Sequence, residues 1–126
     1  MNERQQKELG RTLRLVRHMR QMTLRDVARR SGRSYQYVQN IETGARGAVV
    51  ASDEAFAEWI ATGYSLPLPM VQGMILRAEV SSALESYGLS LADVDFVWAG
   101  IDGRLRELGK AEPPTAAQVA EEAMRR

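Results

Sequence analysis

The chain has 126 residues, 44% hydrophobic and 26% charged, a composition typical of one folded domain or of a small domain with an extension. It has no cysteine and a single histidine, His18, which excludes disulfide scaffolds, zinc ribbons, thiol catalysis and histidine-based metal sites. No apolar run reaches the ~20 residues of a membrane span, and the N-terminus has no apolar secretory segment. We therefore expect a cytoplasmic protein with no cofactor, no metal and no membrane contact.

The net charge of +1 hides a division of the chain into a basic and an acidic part. Residues 1–46 hold eleven Arg or Lys against four Asp or Glu, a net charge of +7, and residues 47–126 carry −6. Ten of the eleven cations are arginine, whose guanidinium matches phosphate geometry. This asymmetry favours a polyanionic partner for the basic part, although a chance cluster of solvated arginines gives the same count.

The periodicity of the apolar residues predicts an all-α protein, because no stretch alternates with period two. In chain order, we predict helices over residues 6–20, 23–31, 35–42, 53–62, 70–87 and 91–108, and a short last helix after Thr115. Thr23 with Asp26, and Ser90 with Asp93, have capping-box spacing at two of the helix starts.

Pro67 and Pro69 predict a break between the fourth and fifth helices. We place a domain boundary there, between a basic helical domain of residues 1–65 and an acidic helical region of residues 66–126. The fifth helix is apolar on more than one side, so we expect it to be largely buried.

The sixth helix carries apolar residues at alternating spacings of three and four, a heptad seam. This seam predicts a homodimer surface centred on Trp98, made by Leu91, Val94, Trp98, Ile101, Leu105 and Leu108. The alternative is a monomer in which the fifth helix completes the N-terminal core and the sixth packs across it.

Two short helices joined by a tight turn at Gly32 form a helix-turn-helix unit. In the second of them, Val38 and Ile41 point to one side, and a polar set without Asp or Glu points away from them. That set comprises Arg33, Gln36, Gln39, Asn40 and Thr43. Side-chain amides pair with adenine or bond other base edges in the major groove, so this face favours DNA reading over an arbitrary polar surface.

Residues 8–62 resemble the XRE-type helix-turn-helix regulators, the family of the lambdoid phage repressors and Cro. The segments that carry the resemblance are LRLVR (13–17), TLRDVA (23–28) and GRSYQYVQNIETG (32–44). The resemblance implies that residues 1–65 form a DNA-binding domain and that helix 34–43 reads double-stranded DNA. It assigns base or near-base contacts to Tyr35, Gln36, Gln39 and Asn40, and phosphate contacts to Ser34 and to residues around Arg46.

The sequence departs from the family pattern at two places. Leu24 stands where the family usually has a glutamine that bonds a phosphate, so Thr23 or Arg25 must supply that contact if it is made. The loop after the third helix, around residues 47–51, is longer than usual and lacks the common proline. These departures put the register on DNA in doubt and leave the family resemblance intact.

Arg17 and Glu42 each lie on the apolar side of a predicted helix, one turn after Leu13 and Val38 respectively. The resemblance implies that these two positions form an internal ion pair. Pairing would explain both residues, because an unpaired buried charge is very unfavourable. The alternative is that both side chains reach solvent along their stems.

We interpret the chain as a sequence-specific DNA-binding transcriptional regulator, a repressor of the phage or prophage immunity type or an autoregulator. No nucleophile–base pair or glycine-rich phosphate loop indicates an enzyme. The alternative is a protein-interaction module in which the acidic part binds a partner protein and the basic part only tethers it to nucleic acid.

Overall fold

A computed structural model describes residues 1–45 and 54–125 of the chain. Over these residues the structure is all-helical, which confirms the predicted fold class. The helices are α1 (Glu3–Met19), α2 (Leu24–Ser31), α3 (Tyr35–Thr43), α4 (Glu54–Tyr64), α5 (Leu68–Ser86), α6 (Leu91–Glu107) and α7 (Ala116–Met124). The part of the chain that the structure describes contains no helix long and apolar enough to cross a membrane.

Helix α1 lies at the centre of the fold and packs on α3, α5 and α7. Its apolar stripe, Leu9, Leu13 and Val16, is buried against the other helices, as the i, i+4, i+7 spacing predicts. Helices α2 and α4 pack on each other at the side of this centre, and Val27 and Ile60 are fully buried there. Exclusion of these aliphatic groups from water is the main source of the stability of this core.

Local hydrogen bonds mark the helix ends that the sequence predicts. Thr23 and Asp26 form a complete capping box at the start of α2, and Ser90 and Asp93 form another at the start of α6. Gly32 ends α2 in the left-handed conformation, at φ 72°. Glycine adopts this conformation without steric cost, so the turn between α2 and α3 can be tight.

Helix α5 begins earlier than the two prolines suggest. Pro67 is its N-cap and Pro69 lies within its first turn, where a proline lacks no intrahelical hydrogen bond. The helix is also less buried than predicted, since Leu76 is exposed while Val71, Met74 and Ile75 are buried.

The predicted boundary near residue 65 does not separate two cores. Leu66, Val71 and Met74 from one side of it belong to the same buried cluster as Leu9 and Leu13 from the other side. From α7, Val119 and Ala123 complete this cluster. Helix α5 therefore completes the N-terminal core.

Helix α6 packs mainly on α5. The Arg77 guanidinium of α5 lies 4.1 Å from the centroid of the Trp98 ring and bonds both carboxylate oxygens of Asp102 at 2.9 Å. The indole Nε1 of Trp98 donates to Ser81 Oγ at 2.9 Å. Arg77 also donates to the carbonyl oxygen of Pro113, so one side chain joins α5, α6 and the segment before α7.

Candidate nucleic-acid interface

A buried polar network holds α3 against α1. Arg17 Nε donates to Glu42 Oε2 at 2.8 Å, and Arg17 Nη2 donates to Glu42 Oε1 at 3.0 Å. Both side chains are nearly inaccessible to solvent, at 11% and 4% exposure. Arg17 Nη1 also donates to the carbonyl oxygen of Met22, in the turn that precedes α2. This geometry is that of a two-bond arginine–carboxylate pair, and it excludes the alternative in which both side chains reach solvent.

Tyr64, at the end of α4, completes the network, and sequence reasoning did not identify it. Its hydroxyl donates to Glu42 Oε2 at 2.6 Å, and its side chain is fully buried. Burial, together with the adjacent Glu42 carboxylate, raises the pKa of the Tyr64 hydroxyl far above its ordinary value, so it remains a donor. The network therefore ties α1, α3 and α4 together behind the outer face of α3.

Close backbone contact adds to this attachment. A Cβ atom placed on Gly10 of α1 would overlap the carbonyl oxygen of Ile41 and lie 2.5 Å from that of Glu42. Only glycine allows α1 to approach the α3 backbone so closely. The orientation of α3 is thus determined by both the ion pair and the helix contact.

The outer face of α3 presents the predicted polar residues on the side away from buried Val38 and Ile41. Tyr35, Gln36 and Thr43 are exposed, whereas Gln39 and Asn40 are half-buried. The Nε2 of Gln36 donates to Asn40 Oδ1 at 3.0 Å, so these two amides are already oriented relative to each other. Their remaining donors and acceptors can meet the edges of bases.

Two arginines lie beside this face, and each contacts a tyrosine ring. The Arg25 guanidinium is 5.9 Å from the centroid of the Tyr35 ring, and that of Arg33 is 5.9 Å from the centroid of the Tyr37 ring. Tyr37 in turn packs edge-on against buried Trp59, with ring centroids 5.5 Å apart. Both guanidinium–ring distances are within the usual range of a cation–π contact. Each ring therefore restricts the position of one arginine side chain beside α3.

Hydroxyl groups cap the N-termini of both short helices. Thr23 Oγ1 accepts from the backbone N–H of Asp26 at 3.1 Å, and Ser34 Oγ accepts from that of Tyr37 at 3.1 Å. A hydroxyl that accepts in a cap keeps its own proton to donate elsewhere. The Thr43 hydroxyl instead donates to the carbonyl oxygen of Asn40 at 3.2 Å.

The acidic side chains of residues 1–45 are engaged in ion pairs. Glu3 pairs with Lys7, Glu8 with Arg11, Asp26 with Arg29 and Glu42 with Arg17. Hydrogen bonds from Thr23 and the charge of Arg29 hold the pKa of the Asp26 carboxyl below its ordinary value, so it stays ionised within its cap. These pairs reduce the repulsion that a polyanion would meet at this surface.

Arg14 is a second residue that sequence reasoning did not single out. It is exposed on α1, and its Nε donates to His18 Nε2 at 3.5 Å. A shallow depression brings it together with the outer part of α3 and with Leu24, and the residues lining it are Arg14, Arg17, Leu24, Gln39, Glu42 and Thr43. The excess of arginine in this segment was the only sequence signal for it. Arg46 lies outside the described residues.

The residues of the predicted seam of α6 differ in burial. Val94 and Trp98 are buried in the packing of α6 on α5, at 5% and 6% exposure, and Ile101 and Leu105 are half-buried. Leu91 and Leu108, at the two ends, are exposed. The central residues of the seam therefore contact their own chain, because α5 covers the apolar stripe that the heptad spacing identifies.

The comparison with protein families matches this architecture. A protein-family model described as a helix-turn-helix domain matches residues 8–72, just over half of the chain. The match extends from α1 into the start of α5. No curated protein and no solved structure matches the chain.

Proposed function

The chain belongs to the helix-turn-helix domain family, whose members bind DNA, and on this premise we propose that it is a sequence-specific transcriptional repressor. The observation that carries the proposal is the outer face of α3. It presents three amides, Gln36, Gln39 and Asn40, free of acidic groups, on a helix held from behind by a buried ion pair.

The amides would read bases in the major groove. An amide side chain can accept from adenine N6 and donate to adenine N7 at the same time, which distinguishes adenine from the other bases. The Gln36–Asn40 hydrogen bond reduces the number of orientations that these side chains must lose on binding. Tyr35 and Thr43 lie at the two ends of α3 and would contact the neighbouring bases or sugars.

Residues around this face would bind phosphates. Thr23 and Ser34 carry cap hydroxyls with a proton to donate, and Arg25 and Arg33 carry guanidinium groups beside α3. Arg14 adds a cation from α1 next to Leu24, where the family usually has a phosphate-bonding glutamine. Such contacts hold the protein in register on the duplex but do not select a sequence.

The repressor would act by occupying a promoter, as an immunity repressor or an autoregulator, without catalysis. We place it in the cytoplasm with the DNA that it binds. Two copies would bind two half-sites about one helical turn apart, which doubles the contact area of a single small helix-turn-helix. The acidic C-terminal part would be repelled by DNA and would direct the basic part towards it.

Selection of bound duplexes from random DNA by the purified protein tests the proposal. We expect a recurrent sequence, and an affinity for it that exceeds the affinity for random DNA by about 10³-fold or more at physiological salt. Enrichment of no sequence, with binding that depends on salt alone, would contradict the proposal. That result would favour the alternative, a protein-interaction module whose basic part only tethers it to nucleic acid.

A further inference from the structure

His18 is the single histidine of a chain that has no cysteine. Histidine is the side chain that ordinarily changes its charge between pH 5 and 8, and the other group that ordinarily titrates there is an α-amino terminus. His18 is exposed near the end of α1, one turn after Arg14. The chain therefore has one side chain suited to making an interaction depend on pH near neutrality.

A shallow depression places His18 beside two of the residues that we propose as phosphate ligands, Thr23 and Arg25. It lies where the end of α1 meets the starts of α2 and α3, and its lining includes Arg17, His18, Thr23, Leu24, Arg25 and Tyr35. Among the described residues that line it, none carries a carboxyl group. The depression is therefore suited to an anion, to which it offers hydroxyl and guanidinium donors.

The side chains that face His18 from the three helices are cationic or neutral. Arg14 and Arg17 face it from α1. Arg25 faces it from α2, and the Tyr35 ring faces it from α3. A positive charge on His18 would therefore be added to a surface that already carries cations.

The carboxylates of these helices are occupied elsewhere. Glu42 bonds Arg17 on the buried side of α3, and Asp26 is held within the cap of α2 and by Arg29. The two carboxylates of α1 lie in its first half and pair with cations of the same helix. None of these described groups offers a counter-charge to a protonated His18, whereas a DNA phosphate would.

In the unbound protein, His18 accepts a hydrogen bond. Arg14 Nε donates to His18 Nε2 at 3.5 Å, so Nε2 carries no proton and the imidazole is neutral, with its proton on Nδ1. The bond is long and exposed, so its loss costs little. Once Nε2 takes up a proton, the imidazole and the Arg14 guanidinium are both free to donate to one acceptor.

We propose that this depression binds a phosphate of the DNA backbone and that His18 takes up a proton from water when it does so. The inference rests on the proposed function, because its ligand is DNA. The proton binds Nε2, the imidazolium donates to a phosphate oxygen, and the released Arg14 guanidinium donates beside it. The complex then holds one proton more than the free protein and free DNA, so the affinity increases as the pH falls. Phosphate contacts carry no sequence information, so the effect applies to any duplex.

Fluorescence anisotropy with a random-sequence DNA duplex, at about pH 6 and about pH 8 in the same salt, tests the proposal. We expect the wild type to bind about fivefold or more tightly at the lower pH, because histidine gains its charge across this range. His18→Gln keeps a polar side chain that cannot be charged, so it should bind with the same, weaker affinity at both pH values. A His18→Gln variant that keeps the wild-type pH dependence would overturn the proposal.

Two further variants separate the role of His18 from a general effect of pH. His18→Lys carries a fixed charge, so it should bind tightly at both pH values. Tyr87→His, made in the His18→Gln protein, restores a histidine at an exposed position at the end of α5. There α5 contacts the first turn of α1 through Glu85 and Arg4, at the end of α1 opposite to His18. Restored pH dependence in this double variant would overturn the site, because a histidine anywhere would then suffice.

The salt dependence of binding to the same duplex gives a second readout. Contact between a protonated His18 and a phosphate should increase the salt slope of the wild type by up to about one between about pH 8 and about pH 6, and leave that of His18→Gln unchanged. Binding that ignores pH would overturn this inference and leave the proposed function standing. Absence of binding at either pH would overturn both, whereas selection of no preferred sequence would overturn the proposed function alone.

Discussion

Arginine holds a helix in place in both the N-terminal and the C-terminal part of the chain, but the two attachments differ. In α1–α4, Arg17 is buried and bonds Glu42, which also accepts from Tyr64, so three helices share one satisfied network. In α5 and α6, Arg77 joins Trp98 and Asp102 at 16% side-chain exposure, and it attaches α6 mainly to a single neighbour.

The difference is that α3 is held rigidly by several helices, whereas α6 is held mainly by α5. The proposed function requires α3 to present Gln36 and Asn40 at defined angles to base edges, and a network buried on several sides would fix those angles. Helix α6 packs mainly on α5 through Val94 and Trp98, and Phe96 on its other side is exposed. The following substitutions break one attachment at a time.

Removal of the carboxylate from the N-terminal network should have the largest effect. Glu42→Ala leaves Arg17 buried without a counter-charge, which should lower the free energy of unfolding by about 3–5 kcal/mol. Urea denaturation measures the loss. Glu8→Ala is the control, because Glu8 makes only an exposed pair with Arg11 and should change stability by under about 1 kcal/mol. Equal losses for the two variants would mean that the network does not hold α3.

Truncation of the ring that joins α6 to α5 should act locally. Trp98→Ala removes a buried indole and its hydrogen bond to Ser81, at a cost of about 3 kcal/mol. Hydrogen exchange should then show lost protection in α6, while α3 keeps its protection. Phe96→Ala is the control, because the Phe96 ring of the same helix is 82% exposed. Equal loss of protection in α3 and α6 would show that the two attachments are not independent.

Substitution of two helical glycines by alanine should change the stability of the fold in opposite directions. Gly10→Ala should destabilise the fold by about 1–3 kcal/mol, because its methyl group would collide with the α3 backbone. Gly100→Ala meets open space and should stabilise α6 by up to about 1 kcal/mol through helix propensity. Thermal unfolding of the two variants and the wild type compares their stabilities. A stable Gly10→Ala variant would contradict the close contact between α1 and α3.

The smallest change in the free energy of unfolding is expected at Glu85, where the N-terminus contacts α5. Although burial opposes it, hydrogen bonds from Arg4, Gln5 and Asn2 lower the pKa of Glu85 below its ordinary value of 4.5. The carboxylate therefore stabilises the fold above that pH, and its contribution is lost as the pH falls through the lowered pKa. Glu85→Gln should be less stable by under about 1 kcal/mol at neutral pH, and the difference should vanish in acid. A difference that persists unchanged in acid would contradict this account.

Local chemistry determined what the sequence could predict. The caps at Thr23 and Ser90 and the turn at Gly32 depend on neighbouring residues, so their patterns are readable. Tyr64 was not predicted to bond Glu42, because an isolated tyrosine in an apolar helix gives no sign of a partner 22 positions away. Periodicity identified the stripe around Trp98 but could not tell whether α5 or a second copy covers it.

The central claim, that the outer face of α3 reads bases, is tested most directly by Asn40→Ala on two kinds of DNA. On the selected sequence, the variant should lose about 1–3 kcal/mol of binding free energy, and on random duplex it should lose almost nothing. Arg25→Ala is the control for a phosphate contact, which should weaken binding to both DNAs and lower the salt slope by about one. Equal losses of Asn40→Ala on both DNAs would contradict the claim.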